Sequence, residues 1–218
     1  MGILDNLEPK RVFKYFEEIF NIPRCSRNKK VISDYLLNFG KKIGLEAVQD
    51  EELNITIKKP ATLGYENSPT IILQGHMDMI CANDECDEYD SANEPIELII
   101  EDDYVYANGA TLGADNGIGV AYAMAILASD DIEHPALEIL IKTDKEDEVL
   151  VDKSVSVDEL QGDMLINLES EEERGLLVTS AGVINVKGVV DVNLELNNNK
   201  KFIGIQVSGL KGGSSDVD

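Results

Sequence analysis

The chain contains no tryptophan and only two histidines, His76 and His134, among 218 residues. Chemistry that needs an imidazole therefore has two places to be. Cysteine is nearly as scarce. Cys25, Cys81 and Cys86 are odd in number and lack the spacing of a zinc knuckle, so they read as reduced thiols of a cytoplasmic protein rather than a disulfide framework. Basic residues are few as well: 19 Lys and Arg stand against 42 Asp and Glu, a formal net charge of −23. So acidic a surface disfavours nucleic acid, whose phosphates recruit cationic patches, and anionic membranes for the same reason. It implies a soluble, self-repelling exterior. No apolar run is long enough to span a bilayer. The opening Met1-Gly2-Ile3-Leu4-Asp5 has neither the basic start nor the apolar core of a secretory leader.

What is present suits a globular α/β protein. The length fits one large domain, or one domain and part of a second. Residues 8–20 form an amphipathic helix with Val12, Phe13, Phe16, Ile19 and Phe20 on one face. A second helix is expected from about residue 28 to 42. Residues 45–48 and 54–58 read as a hairpin around an acidic turn. Residues 70–76 form an apolar strand of the kind buried on both faces. Residues 83–95 are an acidic, turn-rich insertion, and 96–100 and 104–107 are short strands. A glycine-rich loop, 108–117, leads into a helix of small apolar residues from 118 to 128. Further strands are expected at 136–143 and 164–168. Strands alternating with helices predict an α/β sandwich with a mainly parallel sheet. After Glu173 the pattern turns to strands alone, at 176–180, 183–196 and 201–208. This suggests domains at 1–182 and 183–218, the second the start of a β-rich lid.

Ligands of such sheets sit beyond the carboxyl ends of the strands. Strand 70–76 ends in His76, and Asp78 follows two residues on, so both project from the same side. An imidazole can bind a metal through one nitrogen while a nearby carboxylate steadies the other side. The competing reading is a structural histidine closing a strand. Strand 136–143 runs into Asp144-Lys145-Glu146, and strand 164–168 into Glu169. Asp115, at the loop-to-helix joint, either caps the helix or points into the cleft of His76. The loop lacks both the phosphate-binding lysine and the dinucleotide fingerprint. His134, before a proline, reads as part of a structural turn.

Five segments together resemble the aminoacyl-histidine (Xaa-His) dipeptidases, also called cytosol non-specific dipeptidases, within the wider group of two-zinc peptidases. They are Ile22-Pro23-Arg24-Cys25-Ser26, Gln74-Gly75-His76-Met77-Asp78-Met79, Thr111-Leu112-Gly113-Ala114-Asp115-Asn116-Gly117, Leu165-Ile166-Asn167-Leu168 and Gly209-Leu210-Lys211-Gly212-Gly213. The resemblance implies hydrolysis of Xaa-His and other dipeptides by zinc-activated water, with manganese or cobalt as alternative metals. It implies that Asp115 bridges two zinc ions. One ion would also take His76 and Glu169; the other would take Glu146 and a histidine near the far C-terminus of the family's longer chains, which this sequence does not contain. Asp78 would orient His76.

The pattern is not followed throughout. Where the family has the glutamate that serves as general base, this chain has Lys145, and a protonated amine cannot accept a proton. The expected aspartate after Asn167-Leu168 is Glu169, and Ser214-Ser215-Asp216 replaces a histidine-containing motif. Family members are roughly twice as long, so a shortened chain holding one metal ion or none is expected. The alternative is a non-catalytic remnant that binds a metal or a partner subunit. Lid strands lacking their neighbours would favour self-association.

Overall fold

In the computed structural model, the described residues are 2–22, 29–79, 96–108, 111–143, 160–170 and 175–178. The chain divides into two compact units, Met1–Glu171 and Glu172–Asp218. In the second, the described residues 175–178 are exposed and without regular structure.

The first unit begins with α1 (Lys10–Phe20), which buries Val12, Phe16, Ile19 and Phe20. That spacing puts all four on one stripe, and the Phe16 and Phe20 rings, one turn apart, stack with centroids 4.3 Å apart. Helix α2 (Lys29–Lys42) buries Ile32, Leu36 and Phe39. It stops where Gly44 takes φ +80°. The Gly44 amide donates to the Lys41 carbonyl, and the Leu45 amide to that of Gly40. These paired bonds satisfy carbonyls that the helix end would otherwise leave open, and the left-handed turn they need favours glycine.

The main sheet has five strands in the order β1 (Glu46–Gln49), β2 (Ile55–Lys59), β6 (Leu137–Lys142), β3 (Ile71–His76), β7 (Met164–Asn167). The β1–β2 and β2–β6 pairs are antiparallel, and β6–β3 and β3–β7 are parallel. Four of the five strands thus run in one direction and only β2 opposes them, so the sheet is mostly parallel. Strands β4 (Leu98–Glu101) and β5 (Tyr104–Ala107) form a separate antiparallel hairpin.

Helix α3 (Ala114–Leu127) is rich in alanine and glycine and packs against β3 and α1. Its small residues let the helix come close to the sheet. The core lies between the helices and the sheet face that carries Ile55, Ile57, Leu73, Ile139 and Ile141. At the carboxyl end of α3, the Lys59 ammonium donates to the carbonyls of Ile126, Leu127 and Ser129. A cation there complements the helix dipole. Because Lys59 pairs with Leu137 at the start of β6, α3 runs antiparallel to the parallel strands. Its amino end therefore returns to the strand ends that carry His76.

The opposite sheet face is also closed near its centre. Ile72 and Leu140 are buried there. The Glu138 carboxylate, 3% exposed, lies 3.4 Å from Lys58 Nζ and accepts the backbone N–H groups of Gln161 and Gly162 at 2.8 and 2.9 Å. This ties the approach to β7 to the start of β6.

Candidate metal centre

The register levels three strand ends. His76 sits opposite Lys142, and Gln74 opposite Asn167. The pairing of β3 with β7 continues one residue further, since the Leu168 amide donates to the Gln74 carbonyl at 2.8 Å. The carboxyl ends of β3, β6 and β7 therefore lie level at one end of the sheet, where open α/β sheets hold their ligands. The end of β6 is pinned from the side: Thr143 donates its amide to Asn54 Oδ1 and its hydroxyl to the Glu52 carbonyl, both at 2.8 Å.

His76 is completely buried and Asp78 is 1% exposed. The ring's Nδ1 lies 3.0 Å from the Asp78 backbone carbonyl oxygen and 3.3 Å from Asp78 Oδ1. Neither oxygen has a proton to give when the carboxylate is ionised, so Nδ1 carries the hydrogen. In the neutral ring this leaves Nε2 as a bare acceptor. Opposite it, at 3.1 Å, is Asp115 Oδ1, on a carboxylate that is half-exposed. Two acceptors this close repel each other unless positive charge joins them, either as a proton on Nε2 or as a cation that both can reach. Zinc–nitrogen and zinc–oxygen bonds of about 2.0–2.2 Å allow two atoms so placed to share one ion. The donor set thus fits a zinc-type cation.

Asp115 reaches this position because α3 does not begin as a regular helix. Gly113 takes φ +63°, and Asp115 and Asn116 have non-helical backbone angles. No side chain caps the helix, so Asp115 is turned toward His76 rather than toward its own helix N-terminus. Its charge still lies at the positive end of the helix dipole, which stabilises it.

Of the residues singled out from the sequence, His76, Asp78 and Asp115 are brought into contact. Glu169 is half-buried, one residue beyond the Leu168 bond. Among the described residues, no three His, Cys, Asp or Glu side chains are gathered closely enough to hold a metal together. Lys145 and Glu146 lie outside the described residues, as do the strands expected at 183–208. His134 is buried, with Nδ1 donating to the Pro135 carbonyl and its backbone N–H to Thr62 Oγ1, which suits the structural turn expected for it.

One site-building residue was not singled out from the sequence. The Asn116 side chain, 2% exposed, accepts from the His76 backbone N–H at 3.4 Å and donates to the Leu168 carbonyl at 2.8 Å. The only signal in the sequence was its place directly after Asp115.

The fold is one shared with peptidases. A tripeptidase structure from Staphylococcus aureus superposes with a TM-score of 0.62 at 22% identity, over 75% of this chain and 44% of that one. The sequence relationship is more particular. The chain is 35% identical, over 99% of its length, to the cytosol non-specific dipeptidase of Escherichia coli. The structure of an aminoacylhistidine dipeptidase from Vibrio alginolyticus matches 78% of the chain with a TM-score of 0.75 and 36% identity. The resemblance to the aminoacyl-histidine dipeptidases therefore holds along this chain. The chain spans 44% of the length of the E. coli relative and covers 35% of the Vibrio structure. No protein-family model matches it. Among the described residues, no helix is long and apolar enough to cross a membrane.

Proposed function

We propose that the chain is the metal-binding part of a dipeptidase-type hydrolase, acting in the cytoplasm on Xaa-His and other dipeptides. The observation that carries this reading is the approach of His76 Nε2 to Asp115 Oδ1, two acceptors 3.1 Å apart in a chain similar to a dipeptidase over 99% of its length. His76, Asp115 and Glu169 are the residues that would hold a zinc ion, with Glu146 and Asp115 serving a second. Bound zinc makes a water molecule acidic enough to supply hydroxide near neutral pH.

The chain's own residues prepare this site in three ways. Asp78 keeps the His76 proton on Nδ1, so that Nε2 would be the nitrogen offered to an ion. Burial of the imidazole excludes the water that would compete for it. The half-exposed Asp115 leaves the site open on the side from which a dipeptide would enter.

A second reading is favoured by one residue. Lys145 stands where the resemblance expects the general base, and an ammonium group there can neither take a proton from water nor welcome a second cation. On this reading the protein binds a metal or a partner subunit without catalysis, and residues 183–208, which the sequence pattern leads one to expect as lid strands, mediate self-association.

The two are separated by measuring zinc content and hydrolysis of β-Ala-His and a panel of Xaa-His dipeptides, with His76→Ala as control. Hydrolysis that is lost in His76→Ala supports the enzyme. Zinc binding that depends on His76, with no hydrolysis, supports the second reading. Zinc content equal in the two proteins refutes the metal site in both readings and leaves only subunit binding, which light scattering over a concentration series tests.

A further inference from the structure

The described side chains that contact His76 include one that is neither acidic nor a metal ligand. Asn116 follows Asp115 directly in the chain. Its carboxamide oxygen receives the backbone N–H of His76, and its amide nitrogen donates to the carbonyl of Leu168, whose peptide bond leads into Glu169. One buried group is therefore joined to all three residues that would hold the first ion: covalently to Asp115, and by hydrogen bonds to the backbones at His76 and just before Glu169.

The space around Asn116 is shaped to fit it. A Cβ added at Gly75 would land on Asn116 Oδ1. At Gly119 it would lie 2.5 Å from the same oxygen and 2.8 Å from Nδ2. Glycine on the strand and glycine on the helix, at two points far apart in sequence, leave room for this one carboxamide. Without it the site would keep its donors but lose the side-chain bridge from the His76 N–H to the Leu168 carbonyl.

We propose that Asn116 is a positioning residue, which sets the separation of His76, Asp115 and Glu169 through their backbones without touching the ion. This rests on the metal-site reading above. The group suits the task because a carboxamide offers one acceptor and one donor at opposite corners, matching an N–H on one side and a carbonyl on the other. A carboxylate would place an acceptor against the Leu168 carbonyl, and an aliphatic chain would leave both backbone groups unpaired.

The test uses the 218-residue chain. Zinc affinity is measured by competition with a chromophoric chelator, and coordination geometry from the visible absorption of the cobalt(II) form. Asn116→Leu should weaken zinc binding about 10–100-fold, the usual effect of losing a group that orients metal ligands. Asn116→Asp should weaken it less. Both should alter the cobalt spectrum at saturating metal while far-UV circular dichroism stays that of the wild type.

Gly75→Ala keeps Asn116 but takes its space, and should reproduce the spectral change. If Asn116→Leu does not fold, Asn116→Asp and Gly75→Ala decide the matter by the same criteria. A folded variant with wild-type zinc affinity and an unchanged cobalt spectrum overturns the proposal, even if it melts at a lower temperature. If the unaltered chain binds no zinc, or His76→Ala binds it equally well, the metal-site reading itself has failed, and the role proposed for Asn116 falls with it.

Discussion

Glu138→Ala tests whether the sheet depends on a buried carboxylate to hold its edge strand. Glu138 is the second residue of β6, and its carboxylate accepts the N–H groups of Gln161 and Gly162. Hydrogen bonds to a charged group contribute about 1.5–3 kcal/mol each. Gln161 is exposed and Gly162 half-buried, so water can take over part of the loss, and about 1–1.5 kcal/mol per bond is the better figure. Lys58, 3.4 Å away and 29% exposed, loses its partner but can turn to solvent, so it adds little. The expected total is about 2–3 kcal/mol. For a chain of this size that lowers the melting temperature by about 5–10 °C. Glu138→Gln retains an oxygen for the two N–H groups and should lose about half as much. Urea titration of the three proteins, followed by circular dichroism, measures the differences. A Glu138→Ala protein within about 0.5 kcal/mol of wild type would show that these bonds do not hold β7 in place. Equal losses in the Ala and Gln variants would assign the effect to charge rather than to the backbone bonds.

Three other substitutions probe separate elements. Lys59→Met removes the ammonium from three carbonyls at the end of α3 and should cost about 1–2 kcal/mol, read from the urea midpoint. Thr143→Val deletes the hydroxyl bond to the Glu52 carbonyl and should cost about 1 kcal/mol; loss of zinc binding as well would mean that the pinned end of β6 belongs to the site. The third is a pH effect. Hydrogen bonds from Arg11 and then Ser129 hold the Asp131 carboxyl at about 2, below its ordinary 3.8. A carboxyl depressed by folding stabilises the folded state above its unfolded value, and that contribution disappears as the pH falls through the folded one. The melting-temperature gap between wild type and Asp131→Asn should therefore be full near neutral pH and shrink toward zero as the pH falls through about 2. Since Asp131 is fully exposed, the gap should also shrink in high salt, and a gap unchanged by acid would refute the assignment.

Much of the fold was legible because it obeys local rules. The apolar stripe of α1, the hairpin of β1 and β2, and the alternation that leads to β3, β6 and β7 follow from side-chain period and turn residues. The order of strands was not legible: β6 lies between β2 and β3, and nothing local tells a strand which neighbours it will join. The site divides in the same way. His76 and Asp78 share a strand end, so their proximity is a matter of period. The approach of Asp115 depends on Asp115 and Asn116 departing from helical angles at the start of α3, where propensity alone allows an ordinary cap. Asn116 was hidden because its role depends on Gly75, Gly119 and Leu168, which come together only in the folded chain.

Asn116 is also followed by Gly117, the pairing in which an unprotected asparagine most readily cyclises onto the next backbone nitrogen and hydrolyses to aspartate or isoaspartate. In the folded protein the carboxamide is engaged and shielded from this reaction. Each excursion to the unfolded state exposes it, and isoaspartate would lengthen the main chain beside Asp115. Old or heat-stressed protein should thus accumulate molecules that cannot rebuild the pocket on refolding. Peptide mapping after repeated thermal cycles should find the damage at this position, and much less of it in protein stored cold and folded.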